Sequence, residues 1–115
     1  MMILFGLTSG LSRVRGNTAL TNGTKYMIGS TADGTGGTAG ILHYLNGVAE
    51  SLTTVTNTLV GAGARTADFA IGAHITGGST YGERLNANGL GFLAVFNAVL
   101  TAREMRLYAH LAGFL

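Results

Sequence analysis

The chain is predicted to be all-β, an antiparallel two-sheet sandwich with one short C-terminal helix. Three observations carry that expectation. Short apolar or β-branched runs recur along the chain, each closed by glycine, asparagine, serine or threonine. One stretch, 41–52, contains Asn46-Gly47, the pair that a two-residue type I′ hairpin turn requires. A helical pattern with both ends marked occurs once, over 101–113. Seven to nine strands with a single helix call for two packed antiparallel layers. The 115 residues suit one domain, 1–115, small for a two-layer fold.

In chain order, Met2 to Leu7 (MILFGL) is an apolar run ending in Thr-Ser-Gly, the pattern of a buried strand and a turn. Leu11 to Arg15 sets Leu and Val against Ser and two Arg, which fits a half-exposed strand. Turns follow at Gly16-Asn17 and Asn22-Gly23. Asn22-Gly23-Thr24 is also a glycosylation triplet, of a kind common by chance, and carries little weight. Lys25 to Thr31 is a strand, and Ala32 to Gly40 a glycine-rich loop. The hairpin on Asn46-Gly47 then fixes a register in which Leu45 faces Val48, His43 faces Glu50 and Ile41 faces Leu52.

Thr53 to Val60 is rich in β-branched residues and reads as strand. Gly61 to Thr66 is a loop, and Ala67 to His74 a strand with Phe69 and Ile71 on one face. Ile75 to Asn88 is a long loop with a short edge strand near Tyr81. Leu90 to Phe96 is apolar on both of its alternating faces, which predicts a central strand covered on both sides.

The helix is the best-punctuated element. Thr101 and Glu104 form a capping box, Leu100 and Met105 a hydrophobic staple, and Gly113 stands where the helix should end. At 100° per residue, Met105, Tyr108, Ala109, Leu111 and Ala112 share one arc, predicted to pack on the sandwich. Arg103, Arg106 and His110 fall opposite, as a solvated face; Arg106 and His110 also suit the negative C-terminal end.

Composition narrows the functional classes. Charged residues are only 10% against 47% hydrophobic, and small neutral residues, 19 of them glycine, fill the difference. Soluble domains normally carry about a quarter charged residues, so such a surface suits contact with other surfaces. The pI of 9.4 reflects few acids rather than a basic patch. The seven Lys and Arg are scattered without an aromatic stripe, which argues against nucleic acid as partner. With no cysteine, disulfides and thiolate zinc sites are excluded. The apolar start lacks a preceding positive charge and is too short for a signal sequence, and no run reaches the ~18 apolar residues of a membrane helix.

Chemistry-bearing patterns are sparse. Gly34–Ala39 and Gly89–Ala94 match a relaxed dinucleotide fingerprint, but each runs toward a predicted strand, where the phosphate needs a helix N-terminus. Glycoside hydrolysis needs two close carboxylates. Among Asp33, Glu50, Asp68, Glu83 and Glu104 the nearest two in sequence are fifteen positions apart, leaving only a cross-strand pair such as Glu50 with Asp68. His43, His74 and His110 lack metal-ligand spacing; His43 is expected to pair with Glu50 and His110 to cap its helix. The loop to Asn88 offers only one carboxylate toward calcium. No nucleophile elbow occurs. No catalytic, cofactor-binding or metal residue is therefore assigned. Tyr81, with Ser79, Asn86 and Asn88, forms the one loop cluster suited to contact a glycan or a protein partner.

Three segments in order resemble the laminin-G-like, concanavalin A-like jelly-roll superfamily of lectins and glucanases. They are His43-Tyr44-Leu45-Asn46-Gly47-Val48, then Phe69-Ala70-Ile71-Gly72, then Gly91 to Asn97 continuing through Leu100-Thr101-Ala102-Arg103-Glu104-Met105. The resemblance spans 25–111 and implies a jelly-roll topology. It departs at Leu93-Ala94, where many members carry an acidic residue, so no metal or polar role is carried over. The N-terminal part is shorter than that superfamily's usual sandwich, implying a short, N-terminally truncated member whose open sheet edge needs cover. Low charge, no cysteine, no signal sequence and one-domain length point to a phage-type one. The expectation is a non-enzymatic structural or interaction module of a virion, as capsid decoration or tail-associated domain, in a homo-oligomer or larger assembly. The alternative is a lectin-like carbohydrate-binding module located extracellularly or at a cell surface.

Overall fold

The computed structural model describes residues 2–7, 10–58, 74–75, 81–82, 89 and 91–115. The chain divides into two compact units, Met1–Ala64 with Ala98–Leu115, and Arg65–Asn97. Described strands dominate, all paired antiparallel, with one short α-helix.

In the first unit, β1 (Met2–Leu7), β2 (Gly10–Gly16) and β6 (Leu52–Asn57) form one three-stranded sheet in the order β1-β2-β6. The second sheet is β3 (Ile28–Ala32), β4 (Ile41–Leu45) and β5 (Val48–Ala49), in that order. Ser12, Val14 and Gly16 are buried on alternate positions of β2, and Ile41 and His43 on alternate positions of β4. Each sheet thus has an inward face, consistent with a β-sandwich. β2 is half-exposed as expected, with Arg13 half-buried and Arg15 exposed, but Ser12 lies on the buried face with Val14 rather than with the arginines. Its hydroxyl donates to the Gly36 carbonyl, which makes a fully buried serine tolerable. A bulge sets Val14 opposite Thr54 and Arg13 opposite Thr56, leaving Val55 as the extra residue.

The hairpin forms where the sequence places it. Asn46 at φ 50° and Gly47 at φ 76° are the two left-handed turn residues. Leu45 pairs with Val48, and the Glu50 N–H reaches the His43 carbonyl at 2.9 Å. The third expected pair does not form. Leu52 lies opposite Gly16 in the other sheet, because the strand leaves the hairpin at residues 50–51 and continues as β6. One extended segment therefore serves both layers. β3 starts three residues later than expected, at Ile28. Asn46 fixes its entry, since the Met27 N–H donates to Asn46 Oδ1 at 2.9 Å and the Asn46 N–H to the Met27 carbonyl at 2.8 Å.

Helix α1 (Ala102–Leu111) carries the expected capping box, with the Glu104 N–H on Thr101 Oγ1 and the Thr101 N–H on Glu104 Oε2. Its end is a Schellman motif: Gly113 at φ 78°, the Gly113 N–H on the His110 carbonyl, and the Phe114 N–H on the Ala109 carbonyl. The packed face differs from the expected one. Met105 and Ala109 are buried and Tyr108 is half-buried, but Leu111 is 72% exposed. Leu111 lies ~120° around the helix from Met105, and the stripe in contact is centred between Met105 and Ala109. The hairpin tip explains that centre. A Cβ on Gly47 would stand 2.6 Å from the Ala109 Cβ and 2.9 Å from the Arg106 Cα, so only small residues fit on both sides. Met105 covers Gly29 in the same way, its sulfur 2.8 Å from where a Cβ would be.

In the second unit, β7 (His74–Ile75) pairs with β8 (Tyr81–Gly82), which realises the edge strand expected near Tyr81. The predicted central strand at 90–96 is not formed: residues 91–96 have no strand structure and are exposed. Alternating apolar residues make a strand only when a ladder of backbone hydrogen bonds to a neighbouring strand forms along them. Most of the predicted strand at 67–74 lies outside the described residues.

Candidate functional site

The β5–β6 crossover builds the most chemically varied part of the first unit. Where the strand changes sheets, Glu50 turns back over Gly16, whose missing side chain makes room for the carboxylate. Glu50 Oε1 accepts the Thr18 N–H at 2.6 Å, and the Asn17 N–H donates to the Ser51 carbonyl at 3.1 Å. Asn17 Oδ1 in turn accepts from the Thr53 hydroxyl at 2.7 Å. An open pocket of about 410 Å³ lies here, lined by Asn17, Thr18, Leu45, Val48, Glu50 and Ser51 among others. Partial burial works to raise the Glu50 pKa. Hydrogen bonds from Thr18 and the nearby His43 outweigh it, and the carboxyl ends below its ordinary value.

Behind this latch sits His43, 1% exposed. Its Nδ1 lies 3.1 Å from the Ser30 hydroxyl on the neighbouring strand, its cross-strand partner, while Nε2 is buried without a hydrogen-bond partner. The expected side-chain pairing of His43 with Glu50 is therefore replaced. Glu50 spends its carboxylate on Thr18, and His43 turns to Ser30. Burial pushes the imidazole pKa down, more than the Glu50 charge raises it, so His43 is neutral near pH 7. A serine beside a histidine can act as a nucleophile only if the imidazole is oriented by a third group and reachable by substrate. His43 has neither, and the pair serves to join β3 to β4.

The other carboxylates are also committed locally. Asp33 Oδ1 accepts from the Thr35 hydroxyl at 2.7 Å and its N–H at 2.9 Å, which hold the carboxyl below its usual range. The glycine-rich loop is pinned to the first sheet as well, with the Thr38 N–H on Asn57 Oδ1 at 3.1 Å and Thr54 Oγ1 3.2 Å from Thr38 Oγ1. Its first fingerprint match passes through a 3₁₀ turn, Thr38–Gly40, into β4 without opening an α-helix. Glu104 belongs to the capping box. Among the described residues no group of three metal-ligating side chains occurs. The cross-strand pair of Glu50 with Asp68 lies outside the described residues, through Asp68.

Of the four residues the sequence offers for a glycan or partner, Tyr81 is in β8 opposite Ile75. Ser79, Asn86 and Asn88 lie outside the described residues. The feature the sequence does not point to is the surface. Thirteen large hydrophobic side chains are exposed, while Val14, Ile41, Tyr44, Met105 and Ala109 are the buried apolar ones among the described residues. Phe92, Leu93 and Val95 are exposed by 58%, 53% and 70%, in the stretch the sequence reads as a buried strand. The low charge content is the only sequence signal of this surface. No helix among the described residues is long and apolar enough to cross a membrane. No family model, no curated protein and no solved structure matches the chain.

Proposed function

We propose that this chain is a non-catalytic structural and interaction module, a laminin-G-like, concanavalin A-like jelly roll acting in a virion as a capsid-decoration or tail-associated protein. One observation carries the reading: more large apolar side chains are exposed than buried among the described residues. Scattered exposed apolar residues are ordinary, but a run such as Phe92, Leu93 and Val95 marks an interaction site. Low charge favours the same use, since a surface that meets copies or partners on several sides gains little from repelling them. The jelly-roll assignment rests on the three sequence segments; the two small antiparallel sheets of the first unit and the short helix support its coarser part, a β-sandwich. The described carboxylates accept local hydrogen bonds and His43 Nδ1 meets the Ser30 hydroxyl, which fits a structural role for them.

The test is fractionation of particles produced where this gene is expressed. The chain should sediment with the particles at high copy number and stay attached in strong salt, because apolar contacts are not screened. A pool found wholly in the soluble fraction contradicts the reading. A glycan array run beside it separates the lectin-like alternative: Tyr81→Ala should leave particle association intact, whereas sugar binding through Tyr81 would be lost.

A further inference from the structure

The hairpin register puts Glu50 opposite His43, and the Glu50 N–H donates to the His43 carbonyl at 2.9 Å. Both side chains turn toward the other sheet, the carboxylate lying over Gly16 of β2 and the imidazole buried. Each is nevertheless spent on another partner. Glu50 Oε1 accepts the Thr18 N–H at 2.6 Å, and His43 Nδ1 lies 3.1 Å from the Ser30 hydroxyl. Nε2 of His43 is buried and has no hydrogen-bond partner. A neutral imidazole can leave that nitrogen bare. An imidazolium cannot, because both ring nitrogens then carry protons and a buried, unpaired charge is costly. Thr18 is in the opposite position: it is exposed, so its N–H can exchange Glu50 for water at little cost.

We propose that Glu50 and His43 form an acid-responsive latch, in which the carboxylate holds Thr18 at neutral pH and turns to Nε2 of the charged imidazole in mild acid. The exchange leaves no buried group without a partner: Nε2–H gains an acceptor, Nδ1–H keeps Ser30, and the Thr18 N–H takes water. Around His43, β2 turns Ser12, Val14 and Gly16 inward, β3 sets Ser30 beside it, and the crossover brings Glu50. The charges acting on the imidazole are Glu50, which favours its protonation, and the amino-terminal ammonium, which opposes it. The window lies below the ordinary histidine value of 6.5 and above the ordinary carboxylate value of 4.5, where Glu50 is still ionised. Thr18 and Glu50 both line the open pocket at the crossover, so release of Thr18 reshapes that pocket in acid. The latch stands apart from the assembly reading above and needs no second copy.

NMR of the full-length chain, titrated from neutral pH down to 4.5, reads both ends of the latch. The His43 ring signals and the Thr18 amide should move together, with one midpoint between 4.5 and 6.5, and the amide should exchange faster with solvent on the acid side. A Thr18 amide that stays still while His43 titrates overturns the proposal. So does a His43 that takes up its proton only as the whole chain unfolds. Glu50→Gln keeps an acceptor for Thr18 but loses the charge. There the His43 midpoint should fall by about one pH unit and Thr18 should not respond; an unchanged midpoint overturns the latch. His43→Gln, which keeps Glu50 but takes up no proton, should silence the Thr18 response above pH 4.5. A Thr18 response at the wild-type midpoint in that variant overturns it equally.

Discussion

Gly47 answers to two demands at once, a left-handed backbone and the approach of a helix. Its φ of 76° disfavours any side chain, and a Cβ there would meet Ala109 and the Arg106 backbone. Gly47→Ala should therefore lower stability by about 2–4 kcal/mol, the sum of backbone strain and overpacking, read from urea denaturation. The first demand is legible in the Asn-Gly pair; the second is not, because it depends on a helix 55 residues further on. His43 and Glu50 show the same limit. Their backbone pairing follows from the turn, but which neighbour each side chain chooses depends on β3 and on the loop after β2. Both have lowered pKa values, so each contributes stability that is present above its unfolded value and lost as pH falls through its folded one. Stability should hold above pH 6.5, decline just below it as the unfolded chain takes up the His43 proton, and decline again below 4.5 through Glu50. His43→Gln should abolish the first decline and keep the second in denaturation curves taken across that range.

At the scale of elements, α1 is the part most completely written in the sequence, since capping residues act within one turn. Thr101→Ala removes the acceptor for the Glu104 N–H and should cost about 1 kcal/mol by chemical denaturation. Its packed face was less legible, because the apolar residues span an arc of ~160° and the contact with the hairpin selects its centre. Met105→Ala should cost about 2–4 kcal/mol, leaving a void over Gly29, whereas Leu111→Ala should stay within about 0.5 kcal/mol. Equal effects from the two would show that the helix is docked on another face. The crossover from β5 to β6 was unreadable for a similar reason. Nothing in Val48 to Asn57 marks the residue at which an extended strand changes partners, and the glycine that permits it is Gly16, on a different strand.

At the scale of the whole molecule, the predominance of antiparallel strands was legible from repeated short apolar runs. The predicted strand at 90–96 shows what one chain's sequence leaves out. Its pattern states that two faces and a backbone need partners, but not whether the same molecule provides them. The central claim is that this module completes itself by association. Sedimentation velocity of the purified full-length chain at micromolar concentration tests it most directly. A species larger than the 11.8 kDa chain is expected. A single, stable, well-folded monomer would contradict it.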